Sequence, residues 1–517
     1  MAASARKAEA QQRIATVSAF PHGQSARLPD PAACEYWVAP APVGSDRNPG
    51  SADAPWATLD HASAQALALG GGGCTVWFHD GLYVGHNDLH ERFATPTTFR
   101  AINPYRAILE NNGQVIELSG ARNITFEGFT IRHDRLDVSK LLIYVSQADG
   151  LWAEQITFRN NIIHDSYNND LLKIHNGARH ITVEGNIFFN QGPGEEHIDV
   201  NGVEDVLIQD NIFFNDFAGS GRDDGDDVHS FITIKDSTVN PGAEEGSHRI
   251  TVRRNIFLNW EGRRDTFIQV GNDGKPYYEA VAIRIESNLL VGNAATPVYA
   301  ALGVRGVRAL TFANNTVVGD LPSSAYAFWV DTKDLNPPNR EIAFYNNIWS
   351  DPTGTMGADG QSGAPKFSNG NPANTVELDL DNNLYWNGGA PIPAGTVASP
   401  LEHDRRRRVA DPLLGAGEAA LVLPRWEGTA FRSSSLTIRD EFVRLVEQFG
   451  ALGAGSPAID AADPARAPAD DILGRPRGAA PDLGAYEYGA PEPDPAPVTP
   501  APSSPSFYVY LPRVVTP

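Results

Sequence analysis

Five residues capable of chemistry fall in three short, similar segments. LKIHN (172–176) carries Lys173 and His175, IDVNG (198–202) carries Asp199 and Asn201, and ITIKD (232–236) carries Lys235. Apolar residues alternate with these polar ones, so the polar set shares one face of an extended chain. Charge continues in the stretches just before. SYNND (166–170) brings Asp170, PGEEH (193–197) brings Glu196 and His197, and SGRDDGDDVHS (220–230) brings Asp226 and Asp227. Only seven of the 41 basic residues are lysines, so two on one face single that face out.

Lysine and histidine flanked by carboxylates suit an acidic sugar together with a Ca²⁺ ion held by oxygen ligands. The chemistry such a face would support is β-elimination at a uronic acid. The C5 proton is weakly acidic until the neighbouring carboxylate is neutralised. A base must then remove it, and a lysine serves if nearby positive charge lowers its pKa. Lys235 is the first candidate base and Lys173 the second, with His175 beside them. Asp170, Glu196, Asp199, Asp226 and Asp227 are the candidate Ca²⁺ ligands. The plain alternatives are a solvated outward lysine and an Asp-Gly-rich turn that holds no metal.

The elements that must position these residues are visible as a repeat. ITFRNNI (156–162), ITVEGNI (181–187), VLIQDNI (206–212), ITVRRNI (250–256), IRIESNL (283–289), LTFANNT (310–316), IAFYNNI (342–348) and LDLDNNL (378–384) share one pattern. Period-2 alternation means strand, and the asparagine at each strand end means a tight turn with left-handed geometry. The shortest step between these asparagines is 25 residues, from Asn161 to Asn186, with no helical pattern between copies. That excludes βαβ units and fits a solenoid of stacked parallel strands, its asparagines in a hydrogen-bonded interior column. A second strand follows each asparagine and gives two outward columns. One runs Tyr144, Lys173, Asp199, Thr233, Gln269, Gly303, Trp329; the other runs Ser146, His175, Asn201, Lys235, Gly271, Arg305, Asp331. Tyr144, Asn201, Gln269, Arg305 and the nearby His197 are the candidate substrate-binding residues.

Composition limits the alternatives. The 517 residues carry a formal charge of −22, which argues against a nucleic-acid partner, since that needs a basic face. No apolar run is long enough to span a membrane. The 48 glycines and 38 prolines belong to turns and to a Pro-rich linker. The expected organisation is a tail at 1–30, entry strands and a helical cap at 31–110, and the β-helix at 111–390. C-terminal coils, a cap helix and a closing segment follow at 391–489, then the linker at 490–505 and a tail at 506–517. TLDHASAQALA (58–68) and RDEFVRLVEQF (439–449) read as the two helices, placed to cover the solenoid ends. Cys34 and Cys74 each open a strand-like run, leaving a disulfide and a pair of buried thiols both open. No apolar leader is present in the first 20 residues, and the expected location is extracellular or cell-surface.

This pattern resembles the pectin-lyase-like superfamily of right-handed parallel β-helix proteins over roughly residues 35–490. YWVAPAPVGSDRNPGSADAPWATLDHA resembles the superfamily's entry segment, and SPAIDAADPARAPADDILGRPRGAAPDLGAYEYG (456–489) its C-terminal closing segment. The resemblance implies an all-β, single-stranded right-handed parallel β-helix with an N-terminal helical cap, a fold that hosts lyases, hydrolases, epimerases and adhesins. SFITIKDS followed by HRITVRRNIFLN resembles the base-lysine strand and next coil of chondroitinase-B and alginate-lyase type enzymes. By that resemblance Lys235 is the base, and the arginine acid one coil later falls to Arg263 or Arg264, because the column positions there are Gln269 and Gly271. Ser230 stands where those families place a calcium ligand. The sequence shows neither the paired motifs of polygalacturonases nor the W-x-D-H pattern of the commonest pectate lyases. The expectation is a monomeric, Ca²⁺-assisted lyase acting on an anionic polysaccharide. The alternatives are a non-catalytic carbohydrate-binding or adhesion protein and a glycoside hydrolase.

Overall fold

The computed structural model describes residues 34–134, 140–222, 229–237, 245–262, 265–292, 298–319, 327–357, 366–394, 401–415 and 420–491. From Glu35 to Val409 the chain contributes to three long sheets of 12, 11 and 12 strands, visited in turn by the coils from Thr75 to Trp386. All sequential coil-to-coil pairings are parallel; Leu151–Trp152 adds an antiparallel strand at Ile143–Ala148. A parallel crossover is right-handed because a right-twisted strand returns to its sheet only that way. This is the all-β parallel β-helix expected from the repeat.

The repeat strands form the first sheet, with Ile156, Ile181, Val206, Ile250, Ile283 and Leu310 in register. The second sheet carries the outward columns, and the third follows the asparagine turn. Between the sheets lies one apolar core, filled by columns such as Phe99–Phe126–Phe158, whose ring centroids are spaced 5.6 Å apart.

The asparagine column is continuous. The side-chain amide of Asn161 donates to Asn186 Oδ1 at 3.0 Å, Asn186 to Asn211 at 3.0 Å, and Asn211 to Asn255 at 3.0 Å. Asn255, Asn288, Asn315 and Asn347 continue to Asn383, which donates to Asp404 Oδ2 at 2.8 Å. Each amide also serves backbone: Asn186 Nδ2 donates to Phe158 O, and Asn186 Oδ1 accepts from Asn161 N. The left-handed residue of each turn is the one before the column asparagine, with φ of 54° at Asn160, 59° at Asp210 and 51° at Asn314. The column asparagine is thus free to point inward.

Both helices form, but only one caps an end. Helix α1 (Leu59–Gly70) opens on Thr58, stops at Gly71 in the left-handed region, and packs on the entry strands Glu35–Val38 and Asn87–Asp88. Helix α2 (Ile438–Phe449) begins with a reciprocal Thr437–Asp440 capping box. It was expected at the far end of the solenoid and instead lies along the flank, on the third-sheet strands Ile256–Phe257 and Leu289–Gly292. The reason is compositional. Third-sheet strands such as Ile187–Phe189 (IFF) are apolar on both faces, so Ile187 and Phe189 need an outer cover while Phe188 fills the core. On the strands Ile256–Phe257 and Leu289–Gly292 that cover is α2, whose Phe442, Leu445 and Val446 belong to the same apolar cluster. Residues 456–489 also lie along this flank, where Ala485 N donates to Thr316 Oγ1 and Asn314 Nδ2 to Asp482 O.

Cys34 and Cys74 are both disulfide-bonded, so the reading with free thiols does not hold. Among the described residues no helix is long and apolar enough to cross a membrane.

The column makes a direct stability prediction. Asn211→Ala orphans the buried Asn186 backbone N–H and one of the two N–H donors of its amide, at about 1–3 kcal/mol for each unsatisfied group. It should lower stability by about 3 kcal/mol or more in urea unfolding. Thr182→Ala, on the adjoining first sheet and half-exposed, should stay within ~0.5 kcal/mol of wild type.

Candidate functional site

The second sheet reproduces both outward columns. Tyr144, Lys173, Asp199, Thr233, Gln269, Gly303 and Trp329 are successive register partners, and so are His175, Asn201 and Lys235. Strand spacing of ~4.8 Å therefore places Lys173 beside Asp199, and Lys235 one coil further in the adjacent column. The turn before each strand adds a further layer. Asp170 lies three residues before Lys173, and Glu196 three before Asp199. They stack, with Glu196 N donating to Asp170 Oδ1 at 3.1 Å.

The cluster is tightly paired. Lys173 Nζ donates to Asp199 Oδ2 at 2.5 Å and to Asp170 Oδ2 at 3.1 Å. Lys235 Nζ lies 3.6 Å from Asp199 Oδ2 and 4.0 Å from Glu196 Oε1. Asp170, Glu196 and Asp199 are buried and each offers a ligand oxygen, all within 4.8 Å of one another. The lysine side chains keep 19% and 15% of their exposure, so solvent reaches the cluster through them. Asp199 Oδ1 is buried without a hydrogen-bond partner. This hard, partly unsatisfied oxygen set fits a cation such as Ca²⁺, with the triad as its ligands.

Charge is distributed differently from the sequence expectation. Burial alone would lower both ammoniums, but carboxylates outweigh it: Asp170 and Asp199 at Lys173, and Asp199, Glu196 and Asp273 at Lys235. Both lysines are held above their ordinary range, not below it. Burial, then the charge of Asp170, pushes the Glu196 carboxyl well up. Burial and the charge of Asp199 also raise Asp170. Glu195, next in the same turn, is pushed up to about 7 by burial and by Asp170.

The remaining predicted residues divide. Tyr144 hydroxyl and His175 Nδ1 are hydrogen-bonded at 3.0 Å beside Lys173, and burial followed by Lys173 lowers the His175 pKa. Asn201 is buried and held by Ser237 at 2.8 Å. Gln269 is buried and donates to Gly271 O at 2.7 Å, so its amide is engaged with backbone. Arg305 lies two coils beyond Lys235, about 10 Å at the strand spacing. It sits 4.5 Å from the ring centre of Trp329 and donates to Asn272 Oδ1. Gly271, at φ 72°, leaves its column position empty, because a Cβ there would fall 1.6 Å from Arg305 O.

His197 does not join this set. It is fully buried, 4.7 Å from the Phe231 ring, with Nε2 at 3.0 Å from Asn215 Oδ1. It takes the corner position that Leu171 and Phe231 hold on the neighbouring coils, and like them it faces the core. Arg263, Arg264, Asp226 and Asp227 lie outside the described residues.

Two residues were missed by the sequence reading. His229 Nδ1 lies 4.0 Å from Glu196 Oε1, and Asp273 is close enough to raise Lys235. His229 was visible beside the acidic run at 223–227. Asp273 carries no local signal, because a turn from the following coil delivers it.

No family model and no curated protein matches the chain. Solved structures do match in fold. Pectate lyase Pel9A aligns at a TM-score of 0.50 and 15% identity, covering 88% of this chain and 96% of that one. A GH136 lacto-N-biosidase from Eubacterium ramulus aligns at 0.48–0.49 and 11–12% identity in two structures, covering 73% of this chain and 67% of that one. XylC, solved in complex with xylose, aligns at 0.47 and 12%, covering 88% and 98%.

Burial of His197 gives a pH prediction. Burial lowers its pKa to about 3, against ~6.5 for an unperturbed histidine. A depressed histidine contributes stability that is complete above pH ~6.5 and is lost as pH falls toward 3. Urea midpoints measured from pH 7 to pH 4 should therefore fall less steeply for His197→Gln than for wild type. Parallel slopes would exclude this role for His197. These observations give the chain the pectin-lyase-like right-handed parallel β-helix fold, with a paired lysine–carboxylate cluster on its second sheet.

Proposed function

We propose that the protein binds an anionic, uronic-acid-containing polysaccharide along the second sheet and cleaves it by β-elimination with Ca²⁺ assistance. The observation that carries this reading is the juxtaposition of Lys173 and Lys235 with the Asp170–Glu196–Asp199 triad on successive coils. The columns run from Tyr144 to Trp329 across six coil steps, about 29 Å at ~4.8 Å per step, long enough for several sugar units. The pectate lyase that shares the fold acts on a polymer of this class, which is consistent with the proposal.

In this reading Lys235 removes the C5 proton, and Lys173 balances charge at Asp199. Tyr144 and His175 contact the sugar on the first-column side, and Arg305 with Trp329 further along. Arg263 or Arg264 supplies the acid. When bound at the triad, Ca²⁺ supplies neutralisation of the substrate carboxylate and takes up the carboxylate charge that otherwise holds the lysines protonated. The disulfide supports an extracellular or cell-surface location, because such bonds persist in oxidising compartments. The protein is proposed to act as a monomer.

One observation favours a second reading. Each lysine is already neutralised by buried carboxylates, an arrangement equally suited to a non-catalytic binding face.

Incubation with pectate, alginate, chondroitin and hyaluronan, with and without Ca²⁺, separates the two. The lyase reading predicts Ca²⁺-dependent growth of the ultraviolet absorbance of an unsaturated uronate on one of them. Lys235→Ala should lower that rate at least about a hundredfold, as expected for loss of a general base. Binding without the chromophore on every polymer would favour adhesion. Reducing ends without it would indicate a glycosidase.

A further inference from the structure

A second constellation lies on the third sheet, outside the lysine cluster. A cavity of about 520 Å³ opens between this sheet and the C-terminal stretch around residues 425–429. Its volume falls within the usual range for small-ligand sites. Successive coils contribute Arg132 and His164, register partners on adjacent strands, while Arg106 stands at the rim and Arg425 and Trp426 close the far side.

The lining is built rather than left over. His164 Nδ1 is bound to Asp165 Oδ2 at 2.7 Å, and its ring stacks on Phe189 at 4.5 Å, which fixes the imidazole and leaves Nε2 to offer. Arg425 is held by Ser220 Oγ at 2.9 Å and lies 4.5 Å from the centre of the Phe189 ring. Trp426 is braced edge-on against Tyr105 at 5.0 Å. Three guanidiniums line the cavity against one carboxylate, Asp80, which lies 3.6 Å from Arg106. Glu110 and Asp216, which pair with Arg132 and Arg425, are not lining residues. Leu421 and Leu423 of this stretch pack on the apolar strand residues, while Arg425 and Trp426 line the void.

We propose that this cavity is a second carbohydrate site, which takes one acidic sugar unit with its ring on Trp426 and its carboxylate toward Arg106, Arg132 and Arg425. Aromatic rings stack on the apolar faces of sugars, and guanidinium forks match carboxylates. The polymer class is that of the proposed function, on which this assignment of the sugar rests. A site on another sheet would hold a neighbouring part of the polymer, or another chain, while the lysine face works.

Isothermal titration of the full chain with trimers of galacturonate and mannuronate, and with neutral maltotriose, tests this. One acidic trimer should bind, and Trp426→Ala should weaken that binding at least tenfold. Arg106→Gln, at the half-exposed rim and harmless to folding, should also weaken it. Neither variant should change the rate of trimer cleavage, whereas Lys235→Ala should abolish cleavage and keep the Trp426-dependent binding. Acidic-trimer binding that ignores both cavity variants, or equal affinity for maltotriose, overturns the proposal. So does cleavage without any Trp426-dependent binding, which leaves the lyase reading intact. Trp426-dependent binding without cleavage supports the second site and counts against the lyase.

Discussion

The interaction on which the rest depends is the hydrogen-bonded asparagine column. Each amide ties one coil to the next through both its oxygen and its nitrogen, and also closes a backbone carbonyl in the preceding turn. Buried amides of this kind cannot slip without orphaning partners, so the coils from Asn161 to Asn383 are locked to one register. A slip of one residue would turn the lysines inward and the isoleucines outward. With the register fixed, Lys173, Asp199 and Lys235 meet although up to 62 residues separate them in the chain. Asp404 ends the column by accepting from Asn383, so no amide is left open at that end.

The fold was legible because its signal is repeated. Eight asparagines in one pattern leave a single solution, and the two outward columns read from alternation are the register partners observed. Features set by contacts between coils and between distant segments were harder to read. Asp170 was recognised as an acidic group near Lys173 but assigned to a metal, whereas it also pairs with the lysine and helps raise its pKa. His197 sits next to groove residues in sequence, yet the corner of the coil turns it onto Phe231. The flank position of α2 had a readable sign in the IFF triplets, whose doubly apolar strands require an outer layer.

The lysine cluster joins a stability cost to a chemical opportunity. Burying three carboxylates with two ammoniums leaves a surplus of negative charge, and Glu196 is held well above the ordinary carboxylate range. A divalent cation relieves the same surplus, and a polyanion would then meet a neutralised floor with two lysines above it. The net charge of −22 is thus no obstacle to an acidic substrate, since the local balance of the face governs recognition.

The central claim is that the second sheet is the polymer track. A crystal structure of the protein grown with Ca²⁺ and an oligomer of galacturonate or mannuronate tests it most directly. The account predicts an ion ligated by Asp170, Glu196 and Asp199, and sugar density running along the columns from Tyr144 past Lys235 toward Trp329. Density confined to another face, with the triad empty and Lys173 still bonded to Asp199, would contradict it.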